Sequence, residues 1–375
     1  MTRAEMQEHN RRKVIAAARI EFLARGFRDA KIDDIAERAE LTRGAVYSNF
    51  TSKRALYLTV LLEALADAPG AEVPPARPRT VADALAVFAR AWTARLQMVT
   101  DAPRLDAELL PEIMVAKSLQ LPFAQLTGLS ALILGLVLER MENGRDRMVR
   151  TAEAALTTLH GASQLAAAAP HFVDPFAITA AVAHLARLDL GDGPAPLDGG
   201  EPPTGNRPTS FGGEQPSLGA GWPPPHLPFT APAAAVDAPW TPPAGAVDAL
   251  RDRPTPLTED GIVAVLGLHR LTAVEEALRG ADEPVTLVLV TADPGELGPL
   301  ARLVVADIAA CLRATVPPTA LPRLRIVHDE TGTIATAAGI PSPGDGTEAA
   351  IRVANGRITA RATGFGACHA VAAYH

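Results

Sequence analysis

Between residues 191 and 258 the chain carries 16 Pro and 10 Gly in 68 residues, with few apolar clusters. A segment of that composition cannot bury enough apolar surface to offset the entropy of ordering it. It therefore reads as an extended or disordered linker. Phe211, Trp222, Phe229 and Trp240 are scattered along it and do not change that reading. The linker divides a chain of 375 residues into two parts whose hydrophobic patterns differ.

Before the linker the apolar residues recur at helical spacing. Ile15, Ala18 and Phe22 share one face of a helix over about 8–25, with Gly26 just past its end. Ile32, Ile35, Ala36 and Ala39 mark a short second helix, and Ser52 is a suitable N-cap for a longer one. Val81, Leu85, Phe88, Trp92, Leu96 and Val99 begin a further series. Helices near 104–117, 122–142, 146–169 and 175–188 follow, the second apolar nearly all round and so expected at the centre. The longest apolar run, Leu129 to Leu138, is too short to span a bilayer, and no membrane partner is expected.

After the linker the period shortens. "VTLVLVTA" (285–292) and "RLRIVHD" (323–329) read as buried strands, and Gly295 to Thr315 as a helix between them. Asn355-Gly356 should turn a hairpin. "GIVAVLG" and "LTAVEEALRGA" add a strand and a helix ahead of these. The expected order is β-α-β-α-β-α-β-β-α, an α/β domain over 260–375.

The net charge is −7, which argues against a chain that coats nucleic acid along its whole length. Residues 1–60, however, hold 12 Lys/Arg against 8 Asp/Glu. Such a basic end suits a local anionic partner. Within it, "LTRGAVYSNFTSK" (41–53) follows a short helix and a tight turn, the helix-turn-helix arrangement. Val46 and Phe50 are four residues apart and must face inward. Arg43, Gly44, Ala45, Tyr47 and Ser48 then face outward. Gly44 and Ala45 let the helix sink into a major groove, and Arg43 can fork onto a guanine edge or grip a phosphate. Tyr47 and Asn49 can donate to phosphate oxygens, and Thr42 can cap the helix and reach one. Lys53 opens the next helix, whose free N–H groups favour an anion.

Arg12, Ile15, Ala18, Phe22, Gly26-Phe27, Ile35-Ala36, Ala39, Leu41-Thr42, Gly44, Val46-Tyr47, Phe50 and Ser52-Lys53 together resemble the DNA-binding signature of the TetR family of bacterial transcriptional regulators. The resemblance covers roughly residues 8–62. It implies a three-helix DNA-binding unit (8–68) and an all-α effector-binding and dimerisation domain (80–189). It also implies a double-stranded DNA operator, a small-molecule effector and a homodimer whose interface is made by the last two helices. Two positions depart from the family pattern. Glu40 stands where the turn favours Gly, at a cost of roughly 1 kcal/mol if the left-handed backbone is kept. Ala30-Lys31 stands where Thr is usual, so Lys31 would replace a hydroxyl–phosphate contact by a charge.

The middle domain holds no catalytic constellation: His160, His171 and His184 lack a carboxylate at catalytic spacing. Trp92, Met98, Met114, Phe123 and Gln164 are the candidates for an effector cavity. The small residues of "AEAALTTLHGASQLAAAA" would let helices of two copies approach closely. In the last domain, "IVHDETGTIATAAGI" followed by "AAIRVANGRITARATGFGACHAV" is similar to the thioredoxin fold and its peroxiredoxin-like branch. That chemistry needs a thiolate at the helix N-terminus after the central strand. Asp293, Pro294, Gly295 and Glu296 occupy that place, while Cys311 and Cys368 lie elsewhere. The domain thus reads as lacking redox cysteines. No metal site and no cofactor are expected.

The expectation is a ligand-responsive cytoplasmic regulator, a repressor binding a palindromic operator as a dimer, and no enzyme. The alternative is a DNA-tethered or redox-sensing thioredoxin/peroxiredoxin-like protein.

Overall fold

The computed structural model describes residues 2–67, 78–95, 105–141, 147–169, 171–188, 190 and 232–374. The first unit comprises α1 (Arg3–Asp29), α2 (Ile32–Arg38), α3 (Arg43–Asn49) and α4 (Lys53–Asp67). Thr2 and Glu5 form a capping box at the start of α1. Helical geometry breaks at Gly26, φ +74°, where a Cβ would collide with the Glu108 carboxylate. That carboxylate accepts the Arg28 N–H at 3.0 Å, and the positive φ is one that glycine takes without strain. Ile15, Ala18 and Phe22 of α1, Ile35 of α2 and Val46 of α3 are buried in one core, as their spacing predicts. Phe22 and Tyr57 meet edge to face at 5.3 Å.

The second unit comprises α5 (Val81–Arg95), α6 (Leu109–Val115), α7 (Lys117–Met141), α8 (Val149–Ala168) and α9 (Pro175–His184). A single 3₁₀ turn, Leu105–Glu108, leads into α6. The all-round apolar helix is α7, which packs on α5, α6 and α8. At Gly135 the backbone of Val149 comes so close that no Cβ would fit. Among the described residues, α7 alone is long and apolar enough to cross a membrane, and 61% of its most apolar window is buried in the protein. Burial of that share inside the fold is what a core helix requires.

The third unit begins earlier than expected. Its elements are β1 (Ala234–Pro239), β2 (Val247–Asp248), β3 (Arg253–Pro254), β4 (Gly261–Gly267) and α10 (Val274–Gly280). They continue through β5 (Val285–Val290), α11 (Leu297–Thr315), β6 (Leu324–His328) and α12 (Thr333–Ala337). The chain closes with β7 (Glu348–Ala354), β8 (Arg357–Thr363) and α13 (Ala367–Ala372). The main sheet runs β1-β8-β7-β4-β5-β6. β4, β5 and β6 are parallel, and β7, β8 and β1 add antiparallel neighbours, so the sheet is mixed. Asn355 and Gly356 turn β7 into β8, both with positive φ. The α/β character is as the sequence suggests.

The proposed linker of 191–258 needs correction at its C-terminal end. Residues 232–258 fold into this domain: Ala234 pairs with Arg361 and Ala235 with Ala360. Trp240 is buried and its indole N–H donates to the Leu257 carbonyl at 2.6 Å. The Asp248 carboxylate, also buried, accepts the N–H groups of Leu250 and Ile326 at 3.0 and 3.2 Å. Prolines mislead here because Pro239 ends a strand at the sheet edge, where a missing donor costs nothing. Phe211, Trp222 and Phe229 lie outside the described residues.

The sheet is covered on both faces, as alternation along β4 requires. Ile262, Ala264 and Leu266 belong to a core shared with α10, α11 and α13. Val263 and Val265 belong to another with Trp240, Leu257 and Ile334. The first of these cores is continuous with that of the two helical units. The joint is α11, which packs on α4, α5 and α7. Polar pairs reinforce it. Arg279 forks onto Glu139 of α7 with both bonds at 3.0 Å, and Arg54 of α4 bonds Glu112 and Glu296. At Gly295 a Cβ would meet the Thr51 side chain, just past the end of α3.

Candidate nucleic-acid interface and effector cavity

The α2–turn–α3 unit is built from local rules. The chain leaves α2 through Glu40, φ +56°, the left-handed conformation anticipated for a turn that favours glycine. Leu41 N–H returns to the Ala36 carbonyl at 2.9 Å, closing the end of α2. Lys13 holds the Glu40 carboxylate at 3.2 Å. Thr42 then caps α3, its hydroxyl accepting Ala45 N–H at 3.2 Å. Val46 and Phe50 are buried, and the Arg11 guanidinium lies 4.8 Å over the Phe50 ring.

The outward residues divide into two groups. Thr42, Arg43, Gly44, Tyr47 and Ser48 are exposed along one side of α3, with Ala45 half-buried beside them. Lys31 is exposed at the N-cap of α2 and makes no capping bond. Asn49, also half-buried, donates to the Ala45 carbonyl at 2.8 Å, and so does the Ser48 hydroxyl. Lys53 is half-buried. Its ammonium donates to the Arg28 carbonyl at 3.0 Å and lies 4.8 Å over the Phe27 ring. Burial pushes its pKa down against the pull of Glu108, Asp29 and Glu112. Lys53 thus fastens α4 to the end of α1. Arg43 bonds Asp33 at 3.2–3.3 Å, and its guanidinium lies 5.6 Å over the Tyr47 ring. The Asp33 contact crosses from α2 to α3, and no spacing rule pointed to it.

A cavity of about 660 Å³ lies under α4, α5, α7 and α8. Trp92, Phe123 and Gln164 line it, as expected. Met114 does not: it is 74% exposed on α6. One turn of α6 buries Ile113 instead, so Met114 falls on the outer side. Met98 lies outside the described residues. His160 also lines the cavity, four residues before Gln164 on the same face of α8, and that i, i+4 relation was the available signal. Its Nδ1 contacts the Leu156 carbonyl at 2.8 Å, and its ring meets Trp92 edge to face at 4.9 Å. Burial lowers its pKa and favours the neutral ring, and because the Leu156 carbonyl can only accept, Nδ1–H is the donor there. Trp92 donates to Ser163 at 3.3 Å.

Two further walls were not anticipated. Arg19 and Leu23 of α1, with Leu61 and Leu65 of α4, extend the cavity to the DNA-binding unit. Leu303, Val304, Asp307 and Ile308 of α11 close it from the C-terminal domain. Cys311 sits one turn further along α11, fully buried, with the Arg95 guanidinium 2.9 Å from its sulfur. Burial pushes both Cys311 and Cys368 thiols up, with Arg95 and Arg270 respectively opposing it. Among the described residues no cluster of three or more His, Cys, Asp or Glu could hold a metal ion.

A capped seven-residue helix, presented by two buried anchors beyond a tight turn, defines a helix-turn-helix protein. Residues 14–60 match the family described as bacterial regulatory proteins, tetR family. That stretch spans most of α1 and all of α2 and α3, ending in α4, and is the part of the chain on which the resemblance to TetR-type DNA-binding units rests. Over 60 residues it is 45% identical to the HTH-type transcriptional regulator SrpR of Pseudomonas putida, covering 16% of this chain and 28% of that protein. It is also 45% identical over 60 residues to the uncharacterized HTH-type transcriptional regulator TtgW, again of Pseudomonas putida, covering 16% and 44%. The chain thus spans less than half the length of these curated relatives.

Among solved structures, RolR in complex with resorcinol is 20% identical, with 49% of this chain and 90% of that one covered and a TM-score of 0.32. A TetR transcriptional regulator from Rhodococcus sp. RHA1 is 16% identical, with 50% and 99% covered and a TM-score of 0.34. Likenesses this slight bear on nothing further.

Proposed function

We propose that the protein is a ligand-responsive, non-enzymatic DNA-binding regulator that represses transcription from a palindromic operator in the cytoplasm. The observation that carries this is the exposed side of α3, Thr42 to Ser48, on a unit matched to DNA-binding relatives. Arg43, Tyr47 and Thr42 meet the DNA, with Gly44 and Ala45 at the groove floor and Lys31 on a phosphate. Ser48 and Asn49 flank them. The effector occupies the cavity beside Trp92, Phe123, His160 and Gln164.

A homodimer follows from reading a palindrome with two recognition helices. Phe172, between α8 and α9, and Phe176 of α9 are 72% and 85% exposed and favour an interface at these helices. Large apolar groups left in water there gain from a second copy. The thioredoxin-like reading of the C-terminal domain rests on element order. The buried, high-pKa thiols favour a binding role for that domain over a redox one.

The test is affinity for the chain's own upstream DNA at defined salt, wild type against Arg43→Ala and Tyr47→Ala. Arg43→Ala should weaken binding by about 1–3 kcal/mol. Unchanged affinity in both variants refutes the interface.

A further inference from the structure

We infer that α11 of the C-terminal domain is a structural wall of the effector site, and that the site takes a neutral, largely apolar ligand. This rests on the ligand-responsive reading above and gives it a chemical class. Three observations support it. First, Leu303, Val304, Asp307 and Ile308, at i, i+1, i+4 and i+5 of one helix, all line the cavity. They face Trp92, Phe123 and Leu156 of the helical unit, so a ligand there touches both domains at once. Second, the volume of about 660 Å³ is that of a small-molecule site.

Third, both arginines of the lining are already paired. Arg19 pairs with Asp67 at 2.6 Å, and Arg95 with Asp307 across the domain boundary. Asp106 is engaged as well. An anionic ligand would find both arginines of the lining already paired and no free countercharge to offset its desolvation. The polar groups left for orientation are neutral: His160, whose Nε2 is the acceptor once Nδ1–H is given to Leu156, and the Gln164 amide. A ligand with one hydrogen-bond donor on an apolar frame answers that arrangement.

The full-length protein is titrated with two dyes of nearly the same ring skeleton, neutral N-phenyl-1-naphthylamine and anionic 1-anilinonaphthalene-8-sulfonate. Wild type should bind the neutral dye saturably and about tenfold more tightly than the sulfonate. Val304→Trp fills the space beside α11 and should weaken the neutral dye about tenfold or more. Asp307→Ala uncovers the Arg95 guanidinium and should tighten the sulfonate about tenfold. A Val304→Trp protein that does not fold leaves Asp307→Ala decisive, with a gain supporting the wall and no gain overturning it. Wild type that prefers the sulfonate overturns the ligand class. Wild type that binds neither dye overturns the proposal together with the ligand-responsive reading. Saturable neutral binding that a folded Val304→Trp leaves unchanged, with no sulfonate gain in Asp307→Ala, overturns the role of α11 alone.

Discussion

The recognition helix and the cavity are made from opposite materials. Seven residues, Arg43–Asn49, form the first, and their caps and turn lie between Ala36 and Phe50. The second needs residues from Arg19 to Ile308, brought together by helices of all three units. On α3 the charged group is exposed and loosely paired, with Arg43 and Asp33 61% and 64% exposed. At the cavity edge Arg95 and Asp307 are mostly buried. A surface proposed to exchange partners with DNA is served by weak bonds. A wall that must hold its shape keeps bonds that are costly to break.

The largest test of this contrast removes the local anchor. Phe50→Ala deletes a buried ring under Arg11 and should destabilise the first unit by about 3–5 kcal/mol, measured by chemical denaturation. A loss below about 1 kcal/mol would mean that α3 is held from elsewhere, against the local account.

This locality is why the helix-turn-helix geometry could be read from sequence. Val46 and Phe50 at i, i+4, Thr42 ahead of them and Glu40 in a turn each declare their role within a few residues. The C-terminal α/β character was equally legible, since the short apolar runs of β4 and β5 and Asn355-Gly356 are local signals. The composite cavity was not. Val304 and Phe123 are 181 positions apart by their numbering and meet only because α11 docks on α7. Proline count also hid β1, whose partner β8 lies more than a hundred residues along the chain. Pairing of that range leaves no trace in a sliding window.

The docked arrangement has its own test, of smaller size. Arg279 of α10 forks onto Glu139 of α7, which is only 8% exposed. Arg279→Ala leaves that carboxylate without its partner. It should cost about 2 kcal/mol, less than for a fully buried pair because Arg279 keeps some solvent contact. The loss should appear in the stability of the full chain. If Arg279→Ala is neutral, the C-terminal domain is not braced through α10, and the contrast between a local and an assembled site weakens.

Glu40 sharpens the local side. Its φ of +56° is a conformation in which glycine carries no Cβ strain. Glu40→Gly should stabilise the unit by up to about 1 kcal/mol. Part of that gain is offset by a more flexible unfolded chain and by loss of the exposed Lys13 pair. A destabilised variant would mean that the Lys13 contact outweighs the strain.

The smallest expected effect is at the DNA edge itself. Asp33 engages the Arg43 guanidinium through Nη1, which holds the side chain against α2 and competes with a fork onto a base. Asp33→Asn removes the competing charge, and an exposed pair of this kind is worth about 0.2–1 kcal/mol. Operator affinity should therefore rise by a few-fold at low salt, and the gain should shrink as salt screens the pair in the parent protein. The double variant with Arg43→Ala separates this from general repulsion between Asp33 and phosphate. If Asp33→Asn still tightens binding when Arg43 is gone, the gain belongs to the removed repulsion and Arg43 is not restrained before it meets DNA. If the gain vanishes with Arg43, the exposed pair is the resting position of the residue that reads the operator.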